Sequence, residues 1–552
     1  MNDYNQIQLE KGITLQSNNQ LDMAEKIYKQ ILSSDAKDFN ALYLLGTIKA
    51  QKNENEEAII LIKKSLNINP NNFIAYYNLG LIYYNINKLE EAIIEYNNSI
   101  LLNSKYSESY NGLGSVYLKQ KKYLLAFKNY KKADKINKKV FSSRLNIVKL
   151  LVELQKFKKA ELILDKLLLV DPANYENYYI KGIINKRLGK LEVSKKNYFK
   201  SIELNPNHYL SYNEIGYVFY LNKDFENAYF YINKSITINK SFKEGFLNKG
   251  MINLLAGKFI EGWEDYCLGK DTKYPITKKS LWDGQLNLKN KSIFIFSEQG
   301  LGDVIQFTRY LFILNNHFDK IIYKIPNSLK HLFSNINSVM NGKIELVTDF
   351  EKIDQCDFYL PLLNLALFFK KIPDEINYFN IDRELVNKWS KKINNKFYNI
   401  GICWKAGRKD DLFRSEFASE RSFGLDQLTK ILSLKNVMLI NLQKEHAEDQ
   451  KNNYYDKIKI FKEMDSEKPF LDTAAIIMNC NLIITCDTSI AHLAGTLGKK
   501  TFLLLNYNNH WVWGIDKNYS NWYKNIKIFR QNNSKSWDDP FNQVYDDIKT
   551  LL

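Results

Sequence analysis

Two short loops in the C-terminal half carry the residue types that bind phosphate and move protons. The first is Ser297-Glu298-Gln299-Gly300-Leu301-Gly302-Asp303-Val304. Gly300 and Gly302 allow a sharp turn and leave room for a ligand, and Asp303 stands where a helix should begin. Asp303 is therefore either a plain helix cap or a carboxylate presented to a ligand. The spacing fits neither G-x-G-x-x-G nor G-x-x-x-x-G-K-[ST], which removes the dinucleotide and P-loop fingerprints. The second loop is Cys486-Asp487-Thr488-Ser489-Ile490-Ala491-His492-Leu493-Ala494-Gly495. Asp487, Thr488 and Ser489 are cap-type residues, and the amides that open a helix suit a diphosphate. His492, one turn further in, is either a satisfied structural residue or a donor that adds a hydrogen bond or a positive charge.

Three other segments offer supporting groups. Gly401-Ile402-Cys403-Trp404-Lys405-Ala406-Gly407-Arg408 leaves a strand, and Lys405 or Arg408 suits a phosphate. Arg421-Ser422-Phe423 supplies another cation, and Asn441-Leu442-Gln443-Lys444 ends the next strand at the same rim. The chain has no Asp-x-Asp, and its five scattered cysteines form no C-x-x-C pair. We expect no metal, no cofactor and no disulfide framework.

These loops need strands to launch them. Short apolar runs at 292–296, 320–324, 344–347 and 358–360, then at 399–404, 437–442, 482–486 and 501–505, alternate with helical stretches such as 301–314. Strands alternating with helices predict parallel sheets covered on both faces, with ligands outside the C-terminal strand ends. The expected organisation is a small lobe over 291–392 and a larger one over 393–552. They follow a polar linker over 269–290 that holds Pro275 and Gly284.

The first 268 residues are different. Glycines at 12, 46, 80, 114, 182, 216 and 250 keep one 34-residue register, broken only by Val148. Twelve residues after each position comes a small residue (Ala24, Ala58, Ala92, Ala126, Ala160, Ser194, Ala228, Gly262). Four later comes a large one (Tyr28, Ile62, Tyr96, Tyr130, Leu164, Tyr198, Ile232, Tyr266). This period and pattern are the tetratricopeptide signature, so about eight helix pairs should stack into a superhelix with a concave groove for a protein partner. Repeat-bearing O-GlcNAc transferases line their groove with asparagines at the sixth position of each unit, and here only three of eight units, with Asn78, Asn146 and Asn248, have one there.

Length and composition frame these readings. At 552 residues, 45% of them hydrophobic, the chain can bury several cores. Lysine and asparagine recur with no polybasic arm, so the +17 charge reads as a solvated surface, and nucleic acid is not an expected partner. The first residues lack a signal peptide's apolar stretch, and no run is long enough to span a membrane, so a cytoplasmic location is expected.

Taken together, the chemical loops resemble glycosyltransferase family 9, whose best-known members are the heptosyltransferases of lipopolysaccharide synthesis. More closely, the chain resembles bacterial proteins that join tetratricopeptide repeats to such a domain. The motifs are Glu298–Asp303, Trp404-Lys405-Ala406-Gly407, Arg421-Ser422, Leu442-Gln443-Lys444, Asp472-Thr473-Ala474-Ala475, Asp487–Gly495, and Trp511-Val512-Trp513 with Trp522-Tyr523. The resemblance implies a GT-B fold, two Rossmann-like lobes facing a cleft. It implies Asp303 as general base, and Asp487, Thr488 and His492 on the donor side, with a basic residue near Lys405 meeting the diphosphate. The expected substrate is a nucleotide-diphosphate sugar and the acceptor a protein held by the repeats. A polysaccharide or lipid-linked glycan acceptor, and a non-enzymatic scaffold with a decayed transferase domain, are the alternatives.

Overall fold

The computed structural model describes residues 3–138, 141–270, 272–336, 342–374, 377–407, 420–444, 458–515, 517–532 and 536–552. The chain forms two compact units, Met1–Val218 and Phe219–Leu552.

Among the described residues sixteen helices lie between Asp3 and Gly269, two to each 34-residue period. The 34-residue period has a direct packing cause. Helix one of a pair carries glycine where the large residue of helix two lies against it. A Cβ on Gly80 would sit 2.9 Å from the Tyr96 ring, and one on Gly182 would sit 2.3 Å from Tyr198. Val148 breaks the register without a clash because its partner shrinks to Leu164, and both are fully buried. A second 34-residue series marks the turn inside each pair. Asn19, Asn53, Asn87, Lys121, Gln155, Gly189, Lys223 and Gly257 all have positive φ, the left-handed residue that ends a helix. Part of the asparagine richness is thus turn chemistry. The net charge, expected to be spread evenly, gathers here instead. Residues 119–200 hold 22 Lys and Arg against 7 Asp and Glu, a net +15 of the chain's +17.

The second unit contains the last helices of this array, Phe225–Ile238, Lys243–Leu255 and Phe259–Gly269, together with two parallel sheets. The first sheet comprises β1 (Ser280–Leu281), β2 (Leu288–Phe296), β3 (Phe318–Lys324), β4 (Ile344–Val347) and β5 (Phe358–Pro361), ordered β1-β5-β2-β3-β4. The second comprises β6 (Tyr398–Cys403), β7 (Val437–Asn441), β8 (Ile458–Lys459), β9 (Leu482–Cys486), β10 (Thr501–Leu505) and β11 (Ile526–Arg530), ordered β11-β10-β9-β6-β7-β8. Counted from its own first strand, the larger sheet reads 3-2-1-4-5-6, a doubly wound order that reverses between β6 and β9. In the smaller sheet the reversal lies between β2 and β5. Such reversals open a crevice at the carboxyl ends of the two strands, because the flanking crossovers leave toward opposite faces.

Two expectations change. Part of the stretch read as a linker is folded: β1 pairs with β5, Trp282 donates its backbone N–H to the Tyr359 carbonyl, and its side chain is buried. The helix expected over 301–314 is two helices, Leu301–Phe307 and Tyr310–Leu314. At the break the Thr308 hydroxyl bonds the Val304 carbonyl and Arg309 Nε bonds the Gln306 carbonyl, so side chains compete with the helical ladder.

Candidate functional site

The two chemical loops leave the strands at these reversals. β2 ends at Phe296 and runs through Glu298 and Gly300 into the helix Leu301–Phe307. β9 ends at Cys486 and runs through Asp487 and Thr488 into the helix Ser489–Thr496. The two helices pack against each other. A Cβ on Gly302 would lie 2.7 Å from His492 Cδ2 and 3.5 Å from the Ser489 Cα, so glycine is what admits this approach. The fold therefore brings Gly300, Gly302 and Asp303 to face Asp487, Thr488, Ser489 and His492. Asp303, Thr488 and Ser489 remain partly open, while Asp487 and His492 are buried.

The N-cap of the first helix is Gly300, and Asp303 is its third residue, reaching back toward the Gly300 amide. Burial pushes the Asp303 carboxyl above its ordinary range. Asp487 adds to that shift, and His510 and Lys270 oppose it. Thr488 is the N-cap of the second helix, its hydroxyl accepting from the Ile490 amide at 3.3 Å.

Asp487 is held on both oxygens. Trp513 Nε1 donates to Oδ1 at 2.9 Å, and Arg421 Nη1 lies 3.4 Å from Oδ2 and 3.3 Å from the Asp487 carbonyl. Burial alone would raise this carboxyl, but Arg421, His510, His492 and Trp513 outweigh it and hold it below its ordinary range. Arg421, expected to face a diphosphate, is thus partly committed to Asp487.

Of the roles left open for His492, a hydrogen bond fits its surroundings and a positive charge does not. Burial pushes its imidazole down to about 4, against the pull of Asp487. Its ring stacks on Trp513 at 5.0 Å, and Nδ1 meets the Tyr523 hydroxyl at 3.1 Å. At neutral pH it is a neutral hydrogen-bonding group. A histidine depressed from 6.5 to about 4 adds stability that is full above 6.5 and is lost as pH falls toward 4, because only the unfolded chain takes up the proton. Between pH 7 and pH 5 that loss amounts to about 2 kcal/mol. His492→Asn should abolish this share of the acid destabilisation, read by urea denaturation at both pH values. An unchanged pH slope would mean that His492 titrates normally.

Gln443, just after β7, ties that strand's end to the end of β6. Its Oε1 accepts from the Lys405 amide at 3.0 Å and from Cys403 Sγ at 3.4 Å. The Ala406 amide donates to Ser422 Oγ at 3.0 Å, so the β6 loop and the Arg421 segment are tied together. Lys405 is half-buried at this rim. Arg408 lies outside the described residues.

Several groups at the site were not singled out from sequence. Glu298, part of a quoted motif but given no role, forms a buried ion pair with Lys270, both side chains 9% exposed. Its other oxygen accepts from the Leu362 amide at 3.2 Å, joining the loops after β2 and β5. Burial raises Glu298, with Lys270 opposing. Lys270 caps the last helix of the repeat array, Phe259–Gly269, so the array's end reaches the chemistry. Trp263 of that helix packs edge-on against Trp511 at 5.2 Å and Phe307 at 5.4 Å. Arg309 is fully buried, donates to the Trp522 carbonyl at 2.9 Å and lies over the Tyr523 ring. Exposed His510 acts on Asp303, Asp487 and His492 together. The one signal in sequence was the aromatic density of 511–523, which marks burial without saying against what.

In the repeat array, Asn78 Nδ2 donates to the Tyr43 hydroxyl at 2.6 Å and Asn146 Nδ2 to Asn111 Oδ1 at 3.0 Å. Both asparagines therefore cross-link adjacent units.

Comparison with known proteins concerns this array. The tetratricopeptide repeat families match residues 46–87, 74–106, 107–140, 175–208 and 209–242. No curated protein matches the chain. Among solved structures the chain is similar to a tetratricopeptide repeat protein from Parabacteroides merdae (19% identity, 48% of this chain and 98% of that one, TM-score 0.40). It is also similar to pilF of Pseudomonas aeruginosa (18%, 38% and 95%, TM-score 0.34) and to yeast Tom70 (18%, 46% and 55%, TM-score 0.39). The N-terminal half is a tetratricopeptide solenoid, the architecture of protein-interaction modules, and the C-terminal half is an α/β region of parallel sheets.

Proposed function

We propose that the C-terminal region is a glycosyltransferase of GT-B type that moves a sugar from a nucleoside-diphosphate donor to an acceptor hydroxyl. The observation that carries this reading is the meeting of the two strand-order reversals: Gly302 lies against His492 and Ser489, which puts the loop of Asp303 beside the start of the Ser489 helix.

The donor diphosphate sits on the amides that open the Ser489–Thr496 helix, where the dipole favours negative charge. Lys405 and the Arg421–Asp487 pair balance the charge that develops on the leaving diphosphate. Asp303 accepts the proton of the acceptor hydroxyl. The acceptor oxygen bonds the anomeric carbon with inversion as the bond to the diphosphate breaks. Burial places the Asp303 carboxyl nearer the working pH than an exposed aspartate, which favours a base. His492, neutral, serves as a packing and hydrogen-bonding element of the donor wall. The acceptor is a protein presented by the repeat array.

One observation favours a binding module without turnover: Asp487, His492 and Gln443 are already satisfied by protein partners. Thermal unfolding of the full chain with uridine, guanosine, adenosine and cytidine diphosphates separates these readings from a site that binds nothing. A diphosphate at 100 times its Kd should stabilise the chain by about 2.7 kcal/mol. Release of free sugar from the matching nucleotide sugar then distinguishes transferase from module. No shift with any of the four would sink both.

A further inference from the structure

The outer faces of the middle repeats carry a largely exposed surface of lysines and large apolar residues. In the helix Tyr123–Ile136, Ala126, Tyr130 and Ala133 are buried, and Tyr130 lies against Gly114 of the paired helix. The opposite face is exposed and mixes Leu124, 67% exposed, with Lys128, Lys131 and Lys132. The next outer helix, Phe157–Val170, repeats the mixture. Ala160, Leu164 and Leu167 are buried, while Lys158 and Lys159 share the outside with Leu162 (64% exposed) and Leu169 (84% exposed). In four middle units one array position reads Ile94, Lys128, Leu162 and Lys196, each 34 residues apart and each exposed. These helices lie inside the segment that holds +15 of the +17 net charge. Among the described residues, none of Lys128, Lys131, Lys132, Lys158, Lys159 and Lys166 is ion-paired with a carboxylate.

We propose that this face, the outer side of the helices Tyr123–Ile136 and Phe157–Val170, docks the protein on an anionic lipid surface. The two residue classes make different demands on a partner. Lys131 and Lys132 lie over the Phe127 and Tyr110 rings, but no carboxylate neutralises any of these lysines, so together they ask for dense negative charge, which lipid headgroups, nucleic acid and acidic proteins all offer. Exposed leucines set between them gain nothing from a phosphate backbone. They gain by entering the acyl boundary just below a headgroup layer, while lysine stems reach up to the phosphates. Anionic headgroups over hydrocarbon satisfy both at once. No described helix is long and apolar enough to cross a membrane, so the contact is one that lies on the surface. Nothing in this docking depends on the transferase reading.

The test is sedimentation of the full chain with vesicles. It should pellet with vesicles of equimolar phosphatidylcholine and phosphatidylglycerol at low salt, and stay in solution with phosphatidylcholine alone. The variant Lys128→Gln/Lys131→Gln/Lys132→Gln/Lys158→Gln changes only exposed side chains. It should bind the anionic vesicles about 10²–10³-fold more weakly, at about fivefold per lysine. The variant Leu124→Ser/Leu162→Ser/Leu169→Ser should also bind more weakly while keeping the parent's salt dependence. Circular dichroism of each variant checks that the fold is intact. Equal binding to neutral and anionic vesicles, or parental affinity in the lysine variant, overturns the proposal. So does a leucine variant that binds vesicles like the parent while the chain retains duplex DNA or RNA through the same lysines, which would assign the face to nucleic acid.

Discussion

If the proposed transferase reading holds, Asp303→Asn should lower kcat by about 10²–10⁴-fold and leave nucleoside-diphosphate binding within a few-fold of the parent. The substitution keeps the size of the side chain and removes its ability to take a proton. Asp303 is the third residue of its helix, partly open and in the helix that packs on Ser489–Thr496, so an amide fits where the carboxylate was. Its carboxyl is raised by burial and by Asp487. The parent rate should therefore fall as pH drops through a value above the ordinary aspartate range, and the Asn variant should lose that limb. Single-turnover rates across pH give the profile, and calorimetry gives the diphosphate affinity. An Asn variant with a near-parental rate would take Asp303 out of the mechanism. One with lost affinity would make it a structural or donor-binding residue instead.

Trp263→Ala should destabilise the Phe219–Leu552 unit by about 3–5 kcal/mol, the usual cost of deleting a large aromatic side chain from a core. Trp263 is 2% exposed and packs edge-on against Tyr266, Phe307 and Trp511. Phe307 ends the helix that carries Asp303, and Trp511 opens the turn whose Trp513 holds Asp487. One side chain of the last repeat thus supports both halves of the candidate site. Trp263→Phe should cost distinctly less, since a ring remains to fill the gap. Chemical denaturation followed by near-ultraviolet circular dichroism reads both. A loss under about 1 kcal/mol for the alanine variant would show that the last repeat can detach without disturbing the unit.

The repeat array was legible because it is written locally. Gly12, Gly46, Gly80, Gly114, Gly182 and Gly250 each face a residue sixteen positions later. The one irregularity explains itself by volume, since Val148 comes with Leu164 in place of tyrosine. The buried strands were legible for a similar reason: a parallel sheet covered on both faces demands apolar runs, and 344–347, 482–486 and 501–505 stand where they were expected. What escaped was weak in that pattern. β1 and β8 are two residues each at sheet edges, and the apolar run of β11 is broken by Lys527 and ends at Arg530.

Composition and spacing determined the solenoid, the strand-to-helix loops and the residue types at their tips, because these depend on neighbours at fixed sequence distance. The state of those residues was decided by contacts that no spacing encodes. His492 is neutral because Trp513 and Tyr523 close over it, Arg421 is drawn to Asp487, and Lys270 brings the end of the array to Glu298. Burial and charge pairing across 20 to 70 residues set the electrostatics of a site, and only the folded chain fixes which groups share a low-dielectric space.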